Sequence, residues 1–107
     1  MKTVLVIEDD VMIRILIAAV LEPEWRVVFA EERDKLVAQI EEVDLIISDY
    51  NAPPFDFNAT KELCKSKNKP LVLQTGSREE LGHPYRLQKP YNLGSLLTEV
   101  SRAFAMR

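Results

Sequence analysis

The sequence predicts an α/β domain built on a five-stranded parallel sheet with helices on both faces. Three observations carry this prediction. Short apolar runs alternate with helical patterns from end to end. The runs are apolar at successive positions, as strands covered on both faces must be. Their carboxyl ends carry acids, a hydroxyl and a lysine, at the edge where sheets of this kind bind ligands.

Each element follows from local pattern. Thr3 to Ile7 is a β-branched run read as a buried strand. Val11 to Leu21 has helix length, with Asp10 placed to cap its start. Arg26 to Ala30 is a second strand. Glu31 to Glu41 is polar with Leu36, Val37 and Ile40 at helical spacing. Asp44 to Ser48 is a third strand, apolar at Leu45, Ile46 and Ile47. Asn58 to Lys67 reads as a helix, Pro70 opens a fourth strand at Leu71 to Gln74, and Tyr85 to Gln88 forms a short fifth. Leu93, Leu96, Leu97, Val100 and Phe104 give the rhythm of a final amphipathic helix. Only Gly76 to Pro84 separates the last two strands, whereas a parallel crossover normally takes a dozen or more residues. One or two turns around Ser77 to Leu81 are expected there in place of a full helix.

The chain has 107 residues, one domain's worth, with 47% hydrophobic and 29% charged residues. Its net charge of −3 and lack of a basic run argue against a nucleic-acid surface. The single cysteine, Cys64, excludes an internal disulfide and fits core packing in a reducing compartment. The longest apolar run, Val11 to Leu21, is interrupted by Arg14 and falls short of the roughly 20 residues a membrane span needs. No signal peptide is evident, so a cytoplasmic domain without membrane contact is expected.

The first strand ends in Glu8, Asp9 and Asp10, the third in Asp49 followed by Asn51, the fourth in Thr75 and the fifth in Lys89-Pro90. Three carboxylates within ~5 Å repel one another by roughly 3 kcal/mol per pair at an effective dielectric of 20. Such a cluster calls for a cation, and oxygen-only ligands point to Mg²⁺ or a similar hard ion. A carboxylate beside that ion can act as a nucleophile toward phosphorus. Lys89 and the Thr75 hydroxyl can then meet the phosphoryl oxygens.

The segments VLVIEDD, DLIISDYNAPP, LVLQTG and LQKPY resemble the four signature segments of bacterial response-regulator receiver domains, in order and over essentially the whole chain. The resemblance implies a flavodoxin-like doubly wound fold with its fourth helix reduced. It implies a single receiver domain over 1–107 with no output domain. Asp49 becomes the phosphoacceptor. Glu8 and Asp9 become the acidic pair, with Asp9 the more direct Mg²⁺ ligand, and the Asn51 backbone carbonyl a further one. Thr75 is then the switch hydroxyl and Lys89 the partner of the phosphoryl group, with Lys89-Pro90 in the cis form. Asn51 and Ser77 fall where the family tunes phosphoryl lifetime. The implied function is to accept a phosphoryl group from a histidine kinase or histidine phosphotransfer protein and to catalyse only its own phosphorylation and dephosphorylation, with a protein target downstream.

Two departures stand against this pattern. Arg86 occupies the position, three residues before Lys89, where the family usually has an aromatic; Tyr85 is one residue earlier and should face the other way. The crossover that would hold the fourth helix is short. A scaffold that keeps the fold without switching is therefore the alternative. A dehalogenase-like phosphohydrolase fits poorly, because its nucleophile lies in a DxD motif after the first strand and this chain has EDD.

Among the remaining residues, His83 reads as an exposed loop residue, and Trp25 and Tyr91 as side chains packed under loops. In the first helix Ile13, Leu16, Ile17 and Val20 form the expected core face, which leaves Val11, Met12, Ile15, Ala18 and Ala19 as excess apolar surface. By the resemblance this helix docks the phosphodonor, so a docking or self-association face centred on Ile15 is expected, the alternative being a helix buried more deeply than usual.

Overall fold

The computed structural model describes residues 1–79 and 81–107. Its strands and helices are β1 (Lys2–Ile7), α1 (Val11–Leu21), β2 (Trp25–Phe29), α2 (Leu36–Glu42), β3 (Leu45–Asp49), β4 (Asn51–Ala52), β5 (Phe55–Asp56), α3 (Phe57–Ser66), β6 (Leu71–Thr75), β7 (Arg86–Gln88) and α4 (Leu93–Ala105). The main sheet has the order β2-β1-β3-β6-β7 and every pairing in it is parallel.

Alternation along the strands divides the core in two. Val4, Val6, Leu45, Ile47, Val72 and Leu87 pack with Ile17 and Leu21 of α1 and Leu96 and Val100 of α4. Leu5, Ile7, Ile46, Leu71 and Leu73 pack with Leu36 and Ile40 of α2 and Phe57 and Cys64 of α3. Full burial of each such side chain contributes about 1.5–3 kcal/mol. Consecutive buried positions in β1 and β3 are thus explained by helices on both faces. The chain runs from β1 outward to β2 and then back across to β3, so a crevice opens above the carboxyl ends of β1 and β3.

The helix starts are fixed by side chains. Asp10 accepts from the Met12 and Ile13 amides at 2.9 and 3.4 Å, Asp56 from Ala59 at 2.9 Å, and Asn92 from Ser95 at 2.7 Å. The helix expected over Glu31 to Glu41 is shorter. Its first turn is a 3₁₀ turn at Arg33–Lys35 whose leading residue, Glu32, makes no side-chain cap. Only Leu36 and Ile40 of α2 are buried, and Val37 faces outward. In α1 the core face is Ile17 and Leu21, flanked by the half-buried Ile13 and Val20, whereas Leu16 is half exposed. Ile15 is 55% exposed, beside Val11 and Met12.

Two features differ from sequence expectation. The segment Asn51 to Asp56 forms a small antiparallel hairpin, β4 to β5, turned by Pro53 and Pro54, whose connecting peptide is cis. Between β6 and β7 the described residues show bends and no helical turn. The turns expected at Ser77 to Leu81 are absent at the described positions, and Glu80 lies outside them. Arg86 supplies what a helical ladder would have supplied. Its guanidinium donates to the carbonyl oxygens of Glu79 at 2.5 Å and Ser77 at 2.6 Å.

Candidate metal and phosphoacceptor site

Strand ends place the chemistry. Glu8 and Asp9 follow β1, Asp49 ends β3 with Asn51 just beyond, Thr75 ends β6, and Lys89 follows β7. Carboxylate oxygens of Glu8, Asp9 and Asp49 lie within 4.8 Å of one another. Lys89 Nζ sits 2.6 Å from Glu8 Oε1 and 3.2 Å from Asp49 Oδ2, bridging the two strands. A cavity of about 400 Å³ opens at Asp49, lined by Asp49, Tyr50, Asn51, Thr75, Gly76, Ser77 and Lys89, while Glu8 and Asp9 line a neighbouring one of about 290 Å³. All six residues singled out from the sequence therefore meet at one edge. The Lys89-Pro90 peptide is cis.

The electrostatics follow from burial. Glu8 is 2% exposed, and desolvation pushes its carboxyl above the ordinary range against the pull of Lys89. Desolvation also raises Asp49, again opposed by Lys89, and the charge of Asp9 adds to the rise. Burial works against the Lys89 ammonium, yet its contacts with Glu8 and Asp49 hold it above the usual lysine value. Two carboxylates that resist ionisation beside an exposed third are a donor set that a hard divalent cation would satisfy.

The three acids are not equivalent. Glu8 Oε1 accepts from both Lys89 and the Gln74 side-chain amide, the latter at 2.7 Å, and Oε2 accepts from the Asp10 amide at 3.0 Å. Asp9 is exposed. A cation is thus met most readily by Asp9 and Asp49, with Glu8 held behind them by its own donors. Thr75 is buried, and its Oγ1 accepts from the Ser77 amide at 3.0 Å.

Several contributors escaped the sequence reading. Gln74, fully buried, donates to Glu8 and accepts from the Tyr91 hydroxyl at 2.8 Å. Tyr91 is therefore part of the polar network, not simply a ring under a loop. Burial, with the charges of Glu8 and Asp49, pushes its phenol up to about 12. Arg14 Nε donates to the Glu8 carbonyl oxygen at 2.5 Å. A polar residue at the penultimate position of an apolar strand, as Gln74 is in LVLQT, was the available signal.

One local expectation changes and one holds. His83 is half-buried rather than exposed: Nε2 lies 2.5 Å from the Leu71 carbonyl oxygen, and the ring packs edge-on against Phe57 and Tyr85. Burial pushes its pKa down. Tyr85 and Arg86 do face opposite ways. Tyr85 packs with the α1/α4 side of the core, while Arg86 reaches the crossover carbonyls.

An α/β sheet of this order with an acidic carboxyl edge is the receiver-domain architecture, and solved structures bear this out. The receiver domain of the sensor histidine kinase PA1611 from Pseudomonas aeruginosa PAO1, solved with a magnesium ion in its active-site cleft, superposes with a TM-score of 0.81 at 19% identity, over 97% of this chain and 98% of that one. The N-terminal domain of the nisin resistance regulator NsrR gives 0.81 at 24% identity, over 96% and 97%. The chemotaxis protein CheY4 of Vibrio cholerae gives 0.78 at 24%, over 96% and 98%. No family model and no curated protein sequence matches the chain. The chain has the receiver fold: the five-stranded parallel sheet of the flavodoxin-like class, with the helix between β6 and β7 reduced.

Proposed function

We propose that residues 1–107 act as a receiver unit that takes a phosphoryl group onto Asp49 in a Mg²⁺-dependent reaction. The donor is a phosphohistidine on a histidine kinase or a histidine phosphotransfer protein. The observation that carries this reading is the Asp49 carboxylate itself, flanked by Asp9 and Glu8 within 4.8 Å and touched by Lys89 at 3.2 Å, at the mouth of a cavity that Thr75 also lines.

Asp9, Asp49 and the Asn51 carbonyl would hold Mg²⁺, which when bound supplies positive charge against the phosphoryl oxygens. An Asp49 carboxylate oxygen attacks phosphorus, and the P–N bond breaks with its electron pair returning to the donor imidazole. Lys89 neutralises one phosphoryl oxygen, and the Thr75 hydroxyl, whose oxygen already accepts from Ser77, keeps its proton to donate to another. Hydrolysis reverses the covalent state: water attacks phosphorus and the bond to the Asp49 oxygen breaks, restoring the carboxylate. The reading is of a phosphoprotein that catalyses its own loading and unloading. A cytoplasmic setting goes with it, and the signal leaves by contact with a protein target or by onward transfer.

The exposed apolar residues of α1 support docking of the donor around Ile15. Ile15→Asp should slow phosphotransfer from a phosphohistidine protein at least tenfold while leaving labelling by acetyl phosphate intact. The reading itself is tested by intact mass after incubation with Mg²⁺ and acetyl phosphate. Wild type should gain about 80 Da, one phosphoryl group, and Asp49→Asn should gain nothing. An unlabelled wild type, with phosphohistidine donors as well as with acetyl phosphate, would favour the non-switching scaffold, the reading that Arg86 and the shortened crossover support.

A further inference from the structure

We propose that Gln74 and Tyr91 couple the load on Asp49 to the groove between α1 and α4, through a closed ring of contacts around Lys89. This rests on the phosphoacceptor reading above and adds an output route to it.

A fully buried side-chain amide is costly unless both its ends are paired. Gln74 has both. Its Nε2 faces Glu8 Oε1 at 2.7 Å, and since a carboxylate only accepts, the amide nitrogen must point there. Its Oε1 takes the Tyr91 hydroxyl at 2.8 Å. Glu8 Oε1 also takes Lys89 Nζ at 2.6 Å, and two peptide bonds return from Lys89 to Tyr91. The ring is therefore Glu8, Lys89, Pro90, Tyr91, Gln74 and back to Glu8.

Lys89 is the member with a choice of partner. It divides its donors between Glu8 at 2.6 Å and Asp49 at 3.2 Å. A phosphoryl group on Asp49 replaces one carboxylate charge with nearly two and brings three acceptor oxygens to that side only. Lys89 is drawn toward it, and Glu8 keeps Gln74 as its side-chain donor. A shift of Lys89 displaces Pro90 and Tyr91, and the Tyr91 hydroxyl bond to Gln74 must stretch or follow. Lys89, Pro90 and Tyr91 form one wall of an apolar groove of about 330 Å³, faced by Ile13 and Leu16 of α1 and by Leu93 at the start of α4. The groove wall is thus the far end of the ring. Gln74 is a positioning residue in this account, acting through Glu8 and Tyr91.

The test uses the whole chain carrying ¹³C-labelled tyrosine, with Mg²⁺ and beryllium fluoride as a phosphoryl mimic. Bound ¹⁹F signals report occupancy of Asp49, and Tyr91→Phe assigns the Tyr91 ring among the three tyrosines. In wild type the Tyr91 ring resonances should move on loading. In Gln74→Met, which keeps length and loses both hydrogen bonds, the shift should fall at least twofold at equal ¹⁹F occupancy. A second arm reads the Gln74 side-chain NH₂, which should move on loading in wild type and at least twofold less in Tyr91→Phe. Bound fluorine with an unmoved Tyr91 ring, or equal shifts in wild type and variants, overturns the coupling alone. Absence of bound fluorine in wild type overturns the phosphoacceptor reading and the coupling with it.

Discussion

The two halves of the sheet's carboxyl edge are built on different terms. Over β1 and β3 the acidic cluster is held by the sheet: each acid stands at the end of a buried strand, and Lys89 and Gln74 both donate to Glu8 Oε1. Over β6 and β7 the edge is held by side-chain contacts: Arg86 grips two carbonyls of a crossover that shows no helix at the described positions, the Thr75 and Ser77 hydroxyls take the Ser77 and Glu79 amides, and Lys61 donates to the Gly82 carbonyl. The lesson is that the two halves of one edge can be specified independently. The acidic half needs only strand ends, which a parallel sheet provides; the crossover half can do without a helix at its described positions when side chains take up its backbone groups.

Substitutions can break this contrast, and the largest effect should fall on the acidic half. Lys89→Ala leaves Glu8 buried without its cation and should destabilise the protein by about 3 kcal/mol, the usual cost of breaking a buried ion pair. Urea unfolding measures it, and an unchanged midpoint would mean that Lys89 does not offset the burial of Glu8. Asp49→Asn should act the other way. Asp49 and Glu8 have folded values raised by burial, so their stabilising contribution is full below the unfolded carboxylate range and is lost as pH rises through the raised values. Wild type should therefore lose stability between about pH 4 and neutrality. The Asp49→Asn variant should lose less, with a gain of about 1 kcal/mol at pH 7 from the removed repulsion. Mg²⁺ should raise the melting temperature of wild type more than that of the same variant.

On the crossover half the effects should be smaller and local. Arg86→Ala removes both guanidinium hydrogen bonds to the crossover, with a third to Gln88 Oε1, and should speed amide exchange in the loop after Thr75 by about tenfold, the equivalent of ~1.4 kcal/mol of local opening. Arg86→Lys should not restore protection, because an ammonium lacks the planar fork. Protection equal to wild type in Arg86→Ala would show that the loop holds its own shape. The smallest effect is at His83. Burial lowers its folded pKa, so its own contribution to stability is lost as pH falls through the unfolded histidine range near 6.5, opposing the carboxylate trend. His83→Gln, which keeps a donor for the Leu71 carbonyl, should flatten that part of the melting profile relative to wild type.

Much of the architecture was legible because alternation and apolar runs report burial directly. Consecutive buried positions such as Val4 to Ile7 and Leu45 to Ile47 require helices on both faces, and the acids that end them mark the edge. Asp10, Asp56 and Asn92 cap their helices through local hydrogen bonds, although only Asp10 stood out in advance. What the pattern hid was long-range. Gln74 pairs with Glu8 across 66 positions and with Tyr91 across 17, and no local rule forecasts either partner. The Asn51 to Asp56 hairpin was hidden for a different reason, since two prolines break every strand pattern that would have announced it. Leu16 falls outside the core because helical spacing fixes a stripe but not which edge of that stripe meets the sheet.

Asp10 carries one more implication. Its side chain starts α1, while its own amide donates to Glu8 Oε2 at 3.0 Å. The first turn of the helix and the posture of the acidic pair are therefore written into one residue. Under the proposed function, a partner that gripped α1 and stilled that turn would also still Glu8, and through Glu8 the lysine beside Asp49. Linkage would then run both ways: whatever tightened the partner's hold by a given factor with the edge loaded would tighten the edge's hold on its load by the same factor with the partner bound.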